Sequence, residues 1–358
     1  MTPKLFLSHI KEDAIGLLKA MIQTPSFSKE EDIVATLISD QMTSWGIPFE
    51  RVKNNLWAID PNWDPERPTI LLNSHIDTVQ PSKDYTVDPF GGEQIEDKII
   101  GLGSNDAGAS VVSQLATFRY LSLLSDRSYN LIWSATAEEE ISGRNGIAYL
   151  FPKLGKVDLA IVGEPTNLDV AIAEKGLMVI DATVEGVAGH AAREEGVNAI
   201  YKAIQDIQWI ENYTFPKISD MLGPVKTSVT MVNAGTQHNV VPDRCTYVID
   251  IRSNGLYSNK EIFDILSEKL QASLRPRSMR LNSSNIALDH PIVKKCVALG
   301  SSPYGSPTMS DQALIPCPSI KIGPGDSARS HTANEFILHD EISQGIDFYI
   351  QLLEGFSF

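Results

Sequence analysis

Positive charge is scarce in this chain: 30 Lys and Arg stand against 45 Asp and Glu, a formal net charge of −15. Nucleic acid is bound through clustered Lys and Arg, so the balance argues against that class of partner. The single basic knot, Arg275, Arg277 and Arg280, reads as a solvated loop. Cysteine is equally sparse. Cys245, Cys296 and Cys317 form no Cys-x-x-Cys pair, and an odd number cannot all be paired within the chain. That usage fits a reducing, cytoplasmic setting better than secretion. No stretch of about 18 apolar residues occurs, which argues against a membrane span. Met1 to Met21 carries Lys4, Lys11, Glu12 and Asp13 among its apolar positions, so it reads as an amphipathic first helix and not as a signal peptide. There is no internal repeat and no low-complexity tract, and no lysine follows Gly101-Leu-Gly103 to make a phosphate loop.

What is present is a recurrence of acids and histidines where apolar runs end. Thr69 to Ser74 leads into His75-Ile-Asp77, Asn130 to Ala137 into Glu138-Glu139-Glu140, and Asp158 to Gly163 into Glu164. Pro318 to Gly323 is followed closely by His331. Continuous apolar runs of this length read as strands covered on both faces. In open parallel sheets the ligand site lies beyond the carboxyl ends of such strands. Oxygen donors and imidazoles converging there point to a metal-dependent site.

At 358 residues the chain exceeds the size at which one core stops growing, so two domains are expected. Residues 1–175 alternate helix and strand patterns, with a helix over Ala107 to Leu124, as an α/β domain with a mostly parallel sheet requires. From Leu177 the texture changes. Strands are predicted over Leu177 to Val184, Val225 to Val232, Arg244 to Ile251 and Met279 to Ile286, with helices over Gly196 to Ile210 and Lys260 to Leu274. That β-α-β-β-α-β order is ferredoxin-like. The α/β pattern then resumes, with a strand over Pro318 to Gly323 and a closing helix over Asp340 to Leu353. The expectation is a discontinuous domain, 1–175 and 287–358, carrying an inserted α+β domain, 176–286.

Each candidate residue has a plain reading when taken singly. His75 beside Asp77 is a surface hydrogen bond, although in an extended segment the two point the same way, and a ligating imidazole often leans on such a carboxylate. Asp106, before a helix, is an N-cap. Glu138-Glu139-Glu140 is an acidic turn, or else a cluster that a dication divides into a ligand and a general base. Glu164 is a helix-start carboxylate, His331 a loop histidine, Arg252 half of a strand-end ion pair, and His190 a turn histidine.

Together, His75-x-Asp77, Gly101-x-Gly103-x-x-Asp106, Glu139-Glu140, Gly163-Glu164-Pro165 and His331-Thr-Ala-Asn-Glu335 resemble the M20 family of di-zinc peptidases and deacylases. The likeness continues through Gly189-His190-Ala191, His238-Asn239 and Asp250-Ile-Arg252. It implies a di-zinc catalytic domain and an inserted dimerisation (lid) domain. His75 and Glu164 would bind one zinc, Glu140 and His331 the other, with Asp106 bridging; cobalt is a possible substitute. Glu139 would be the general base and Asp77 the partner of His75, with the triple Glu leaving the register open by one residue. His190 and Asn239 from the insert of a partner subunit would stabilise the oxyanion, making the enzyme a homodimer. Arg252 would clamp the substrate carboxylate, with Lys175, Gly323 and Gly325 as further contacts. One departure is visible: the lysine that often follows the bridging Asp is missing from Asp106-Ala107-Gly108. The implied activity is hydrolysis of an N-acyl amino acid, N-acetylornithine or N-acylcitrulline first, in arginine biosynthesis. Succinyl-diaminopimelate desuccinylase and dipeptidase or carboxypeptidase are the alternatives within the family. A non-catalytic metal-binding scaffold is the alternative outside it.

Overall fold

The strands form where the sequence places unbroken apolar runs. In a computed structural model, which describes residues 3–193 and 195–358, Thr69–His75, Asn130–Thr136 and Leu159–Val162 are strands buried at every position. Thr69–His75 lies parallel to both neighbours, Ile70 facing Leu131 on one side and Leu159 on the other. Ser319–Lys321 adds a fourth parallel strand beside Leu159–Val162. The flanks are antiparallel: Asn55–Ile59 runs against Asn130–Thr136, and Val170–Glu174 pairs at Ala171 with Lys321. The sheet is therefore mixed, parallel at its centre and antiparallel at both sides. Neither flanking strand is among those predicted.

Helix Ala109–Leu121 packs between Pro3–Ile22 and His339–Leu353. It is buried at all but two of its positions, Arg119 and Tyr120, and the small or hydrogen-bonding residues Ser110, Ser113, Gln114 and Thr117 lie inside with the apolar ones. It starts two residues later than predicted because Ser104–Gly108 forms a wide turn ahead of it. Of the predicted first helix, Met1 and Thr2 lie outside the described residues.

The chain divides into two compact units. One comprises residues up to Ile172 with Ile286–Tyr304 and Ser310–Phe358, and the other Ala173–Asn285 with Gly305–Met309. The second unit holds a four-stranded antiparallel sheet in the order Lys226–Ala234, Arg244–Arg252, Met178–Glu185, Ser273–Pro276. Helices Ala199–Asn212 and Asn259–Lys269 complete a β-α-β-β-α-β series. Met178–Glu185 alternates buried and half-buried positions, as expected of a sheet with one covered face. That face, with Ile249, Ile251, Ile262 and Leu266, makes this unit's own core.

Two predictions fail here. The fourth strand is Ser273–Pro276, not Met279 to Ile286, and the preceding helix ends at Lys269 rather than Leu274. A capping box at Ser258 and Glu261 fixes the start of that helix, and Leu270 turns to extended geometry (φ −93°, ψ 145°). Ser273 and Pro276 then pair with Thr183 and Ile180, and Pro276 is tolerated because the strand lies at the sheet edge. Within the predicted Met279 to Ile286 stretch only Ser284–Asn285 is extended in a ladder.

Candidate metal centre

His75 ends the central strand and is buried, 1 % exposed. Its Nδ1 lies 2.9 Å from the backbone oxygen of Asp77 and 3.5 Å from that residue's Oδ1. A ring N–H at Nδ1 bonded to the backbone oxygen leaves Nε2 free to act as a donor to a metal. Nε2 faces Asp106 Oδ1 at 3.2 Å and Glu164 Oε1 at 3.8 Å. The carboxylate of Asp77 also serves elsewhere. It accepts the backbone N–H groups of Glu139 at 2.9 Å and Glu140 at 3.1 Å, and the hydroxyl of Ser28 at 2.7 Å. Asp77 thus ties the His75 segment to the acidic turn.

Asp106 does not cap the helix that follows. It sits in the Ser104–Gly108 turn with non-helical dihedrals (φ −116°, ψ 97°). Its two oxygens diverge: Oδ1 faces His75, and Oδ2 lies 3.6 Å from His331 Nε2. The turn is held by Glu335, whose Oε1 accepts the N–H groups of Asn105 (2.8 Å) and Asp106 (2.9 Å) while Oε2 accepts that of Gly103 (3.1 Å).

The three adjacent glutamates point to three different places. Glu138 turns away, with φ 57°, and its carboxylate accepts the side chain of Asn145 at 2.7 Å and that residue's backbone N–H at 3.1 Å. Glu139 converges with His75 and Glu164, donor atoms lying within 4.8 Å of one another, and Glu140 converges likewise with His75 and Asp106. Glu140 Oε2 is also 3.0 Å from His331 Nε2. His331, in left-handed geometry (φ 58°), is the most open of the group, its side chain 54 % exposed.

The electrostatics are those of a pocket crowded with buried carboxylates. Burial pushes Glu164 up to about 8, and His75 and Lys321 only partly oppose it. Burial also pushes Glu139 well above the usual carboxylate range, with Glu164, Asp311 and Glu140 adding to the effect. For His75, burial disfavours the charged ring, yet hydrogen bonds to Asp106 and Asp77 outweigh it and hold the ring well above its ordinary range. The hydrogen bond to Glu140 lifts His331 to about 9. Carboxylates crowded this closely are stable only with protons or a dication between them. Nitrogen and oxygen donors in this mixture suit zinc or a similar ion, so the residues present fit a metal pair.

Residues 71–355 match the family described as Peptidase family M20/M25/M40. The chain belongs to this family. It is a hydrolase. Succinyl-diaminopimelate desuccinylase 2 of Ruegeria sp. is 26 % identical over 280 residues, 73 % of this chain and 70 % of that protein. Acetylornithine deacetylase of Buchnera aphidicola is 25 % identical over 383 residues, 96 % of this chain and 98 % of that one. Among solved structures, aminopeptidase PepT of Bacillus cereus superposes with a TM-score of 0.76 at 18 % identity, covering 96 % of this chain and 98 % of that chain. A dinuclear metal-binding M20 peptidase of Bacillus subtilis gives 0.72 at 16 % identity, covering 99 % and 100 %. At such identities the structural likeness establishes the fold.

The remaining candidates of this M20 chain fall into two groups. Gly323 and Gly325 are buried in the first unit, and a Cβ on Gly323 would meet the Ser110 hydroxyl at 2.4 Å and the Glu164 backbone oxygen at 2.6 Å. The backbone of Gly323 bonds Thr166 and Leu168, and Gly325 accepts from Asn167 at 2.6 Å. His190, Asn239, Lys175 and Arg252 lie in the second unit. His190 and Asn239 are neighbours there, because Ala191 N–H donates to the Asn239 oxygen at 3.0 Å. The N–H of Ala192 donates to His190 Nδ1 at 3.1 Å, which leaves Nε2 as the protonated, exposed nitrogen. Arg252 makes a two-pronged bond to Asp250 at 2.8 and 3.1 Å, the strand-end ion pair. Burial, with Lys226 and Arg252 nearby, lowers Lys175 below the usual lysine range.

Sequence reasoning gave no role to Glu335, Asp311 or Lys226. Glu335 was visible only as the end of a motif. Asp311, buried at 4 %, takes hydrogen bonds from Asn73 and Thr136, both at 2.8 Å, at the ends of two central strands. Nothing local in its sequence marks it.

Proposed function

We propose that this hydrolase cleaves the amide of a small N-acyl amino acid, releasing the acyl group and a free amine. His75 and Glu164 would hold one divalent cation and Glu140 and His331 a second, with Asp106 between them and zinc the metal expected. Such a pair, when bound, acidifies a water molecule and polarises the scissile carbonyl. Glu139 takes the proton of the attacking water and returns it to the leaving nitrogen. A carboxylate already pushed toward the protonated form by burial and its neighbours is suited to accepting that proton. Asp77 orients both His75 and the turn that carries Glu139. The exposed Nε2–H of His190, with Asn239, would be contributed by a partner subunit and donate to the tetrahedral oxyanion. In a chain of net charge −15, Lys175, Lys226 and Arg252 outnumber Asp250, the ion-pair partner of Arg252, and leave a local excess of positive charge suited to the carboxylate of the substrate. Backbone of the Gly323 to Gly325 loop supplies further contacts.

The observation that carries this reading is the divergence of the Asp106 oxygens, one toward each histidine. N-acetylornithine, or N-acylcitrulline, is the first substrate, which would place the enzyme in arginine biosynthesis; the likeness to an acetylornithine deacetylase supports it. Relatives named succinyl-diaminopimelate desuccinylase favour that substrate as the second reading. Elemental analysis of the loaded protein, with a turnover screen of acetyl- and succinyl-ornithine, citrulline and diaminopimelate, tests both. Two metals per chain and release of free amine are expected. One tight site and no second would overturn the two-metal assignment, and no turnover of any acyl amino acid would overturn the substrate class.

A further inference from the structure

Three consecutive backbone N–H groups of the acidic turn are taken by buried carboxylates. Those of Glu139 and Glu140 go to Asp77, and that of Glu138 goes to Glu31 Oε1 at 3.2 Å. Glu31 lies ahead of residue 71, where the match to the family begins. It is nevertheless fully buried, at 0 % exposure. Oε1 also accepts the N–H of Lys29 at 2.6 Å, and Oε2 accepts the side-chain amide of Asn54 at 2.8 Å. Burying a carboxylate is costly unless its oxygens are satisfied, and here the satisfying donors include the turn itself.

The segment that carries Glu31 is anchored to the same place. Thr78 N–H donates to the Ser26 oxygen at 2.9 Å, Phe27 bridges Thr78, and Ser28 donates to Asp77. Glu138 meanwhile holds a left-handed φ of 57°, which a residue with a side chain adopts only when its surroundings impose it. Asp77 fixes the turn at its second and third glutamates, and Glu31 fixes it at the first.

We infer that Glu31 is a positioning residue: through the N–H of Glu138 it sets the angle at which Glu139 and Glu140 enter the site. The inference rests on the proposed roles of those two glutamates, but its first test does not depend on activity. Glu31 also lines a cleft of about 290 Å³ with Lys29, Lys53, Asn54, Glu138 and Asn145. Truncating its side chain should therefore leave a hole that a small carboxylate can enter.

The experiment is hydrogen–deuterium exchange on full-length Glu31→Ala, with and without added formate. Exchange at the Glu138–Glu140 amides should rise by roughly tenfold or more, the equivalent of losing a charge-assisted hydrogen bond, while the Thr69–His75 strand stays protected. Formate should restore protection at the turn. In turnover assays kcat should fall roughly tenfold to a hundredfold, as a misaimed group costs, with KM little changed. Glu31→Gln, which keeps one acceptor oxygen, should recover most of that loss. Unchanged protection at the turn, or an equal rise along Thr69–His75, would overturn the inference. If Glu31→Ala does not fold, Asn54→Ala frees the other carboxylate oxygen and should raise exchange at the same three amides by a smaller factor; no change there overturns it equally. A wild type that hydrolyses nothing would remove the proposed function and leave the exchange result standing.

Discussion

Loading the metal-free protein with zinc at pH 7 should expel about two protons or more per chain. Glu164, pushed up to about 8 by burial, is about nine-tenths protonated at that pH, and His331, raised to about 9 by its bond to Glu140, is almost wholly so. Burial disfavours the charged form of His75, yet Asp106 and Asp77 hold the ring well above its ordinary range, so it adds to the release. The protons belong to the cluster as a whole, since these groups share them. All three side chains must be deprotonated to ligate, so uptake and release are linked. The sign follows from the same shifts. A raised folded-state affinity stabilises the metal-free fold at low pH, below about 4.5 for Glu164 and about 6.5 for His331. That contribution is lost as pH rises through about 8 and about 9 respectively. Metal-free protein should accordingly lose stability at this cluster over that range, and the protons released per chain should fall with it. Titrating zinc into weakly buffered protein with a pH indicator reads the number directly, and calorimetry in two buffers of different ionisation heat checks it. Release of fewer than one proton per chain at saturation would refute the assignment of these residues as ligands.

Glu139→Gln should keep both metals and lose several orders of magnitude in turnover, whereas Glu140→Gln should lose metal as well; Glu138→Gln, whose side chain faces Asn145, should be far milder, and metal content beside kcat separates the three. Arg252→Lys should raise KM by roughly tenfold, about 1.4 kcal/mol, since the charge stays and the fork is lost; equal turnover by the wild type of an acyl amino acid and its amide would rule the role out. Mixed His190→Ala and Glu139→Gln chains should regain partial activity after subunit exchange, because one of the two sites in the heterodimer is intact, and no recovery would count against a partner's His190. Gly323→Ala should destabilise the fold by roughly 1–3 kcal/mol in thermal unfolding, because its Cβ has the Glu164 backbone in its way.

The central strands were legible because their environment is uniform: a run such as Thr69 to His75, covered on both faces, carries unbroken apolar residues over Ile70 to Leu72 before the polar residues that lead to the site. The flank Asn55–Ile59 was not, being five residues between turns. Ser273–Pro276 was lost because Gln271, Ala272 and Leu274 suit a helix as well as a strand, and only pairing with Met178–Glu185 decides between them. At the site, residue types and order were readable, and contacts were not. Asp106 looks like a cap until His331 is placed beside it. Glu335 reaches back 229 residues to the Asp106 amide and Glu31 forward 107 to that of Glu138. No local pattern records such a pairing, because its partners are backbone N–H groups that every residue but proline possesses.

The parallel pairing of Ser319–Lys321 with Leu159–Val162 has a consequence for biogenesis. Chains emerge from the ribosome amino end first, and domains tend to fold as they appear. The second unit is nearly complete once Asn285 is out, and it has a core of its own. The first unit is then still waiting for a sheet strand and for the helix that covers Ala109–Leu121. Its strand edge at Leu159–Val162 stays open until Ser319–Lys321 emerges, by which point the chain has roughly doubled in length, a period in which an unpaired apolar edge is open to wrong partners. His331 and Glu335 arrive later still. The centre is thus completed only after His331 and Glu335 have emerged, and a chain released before them would keep a folded second unit and an unfinished first one.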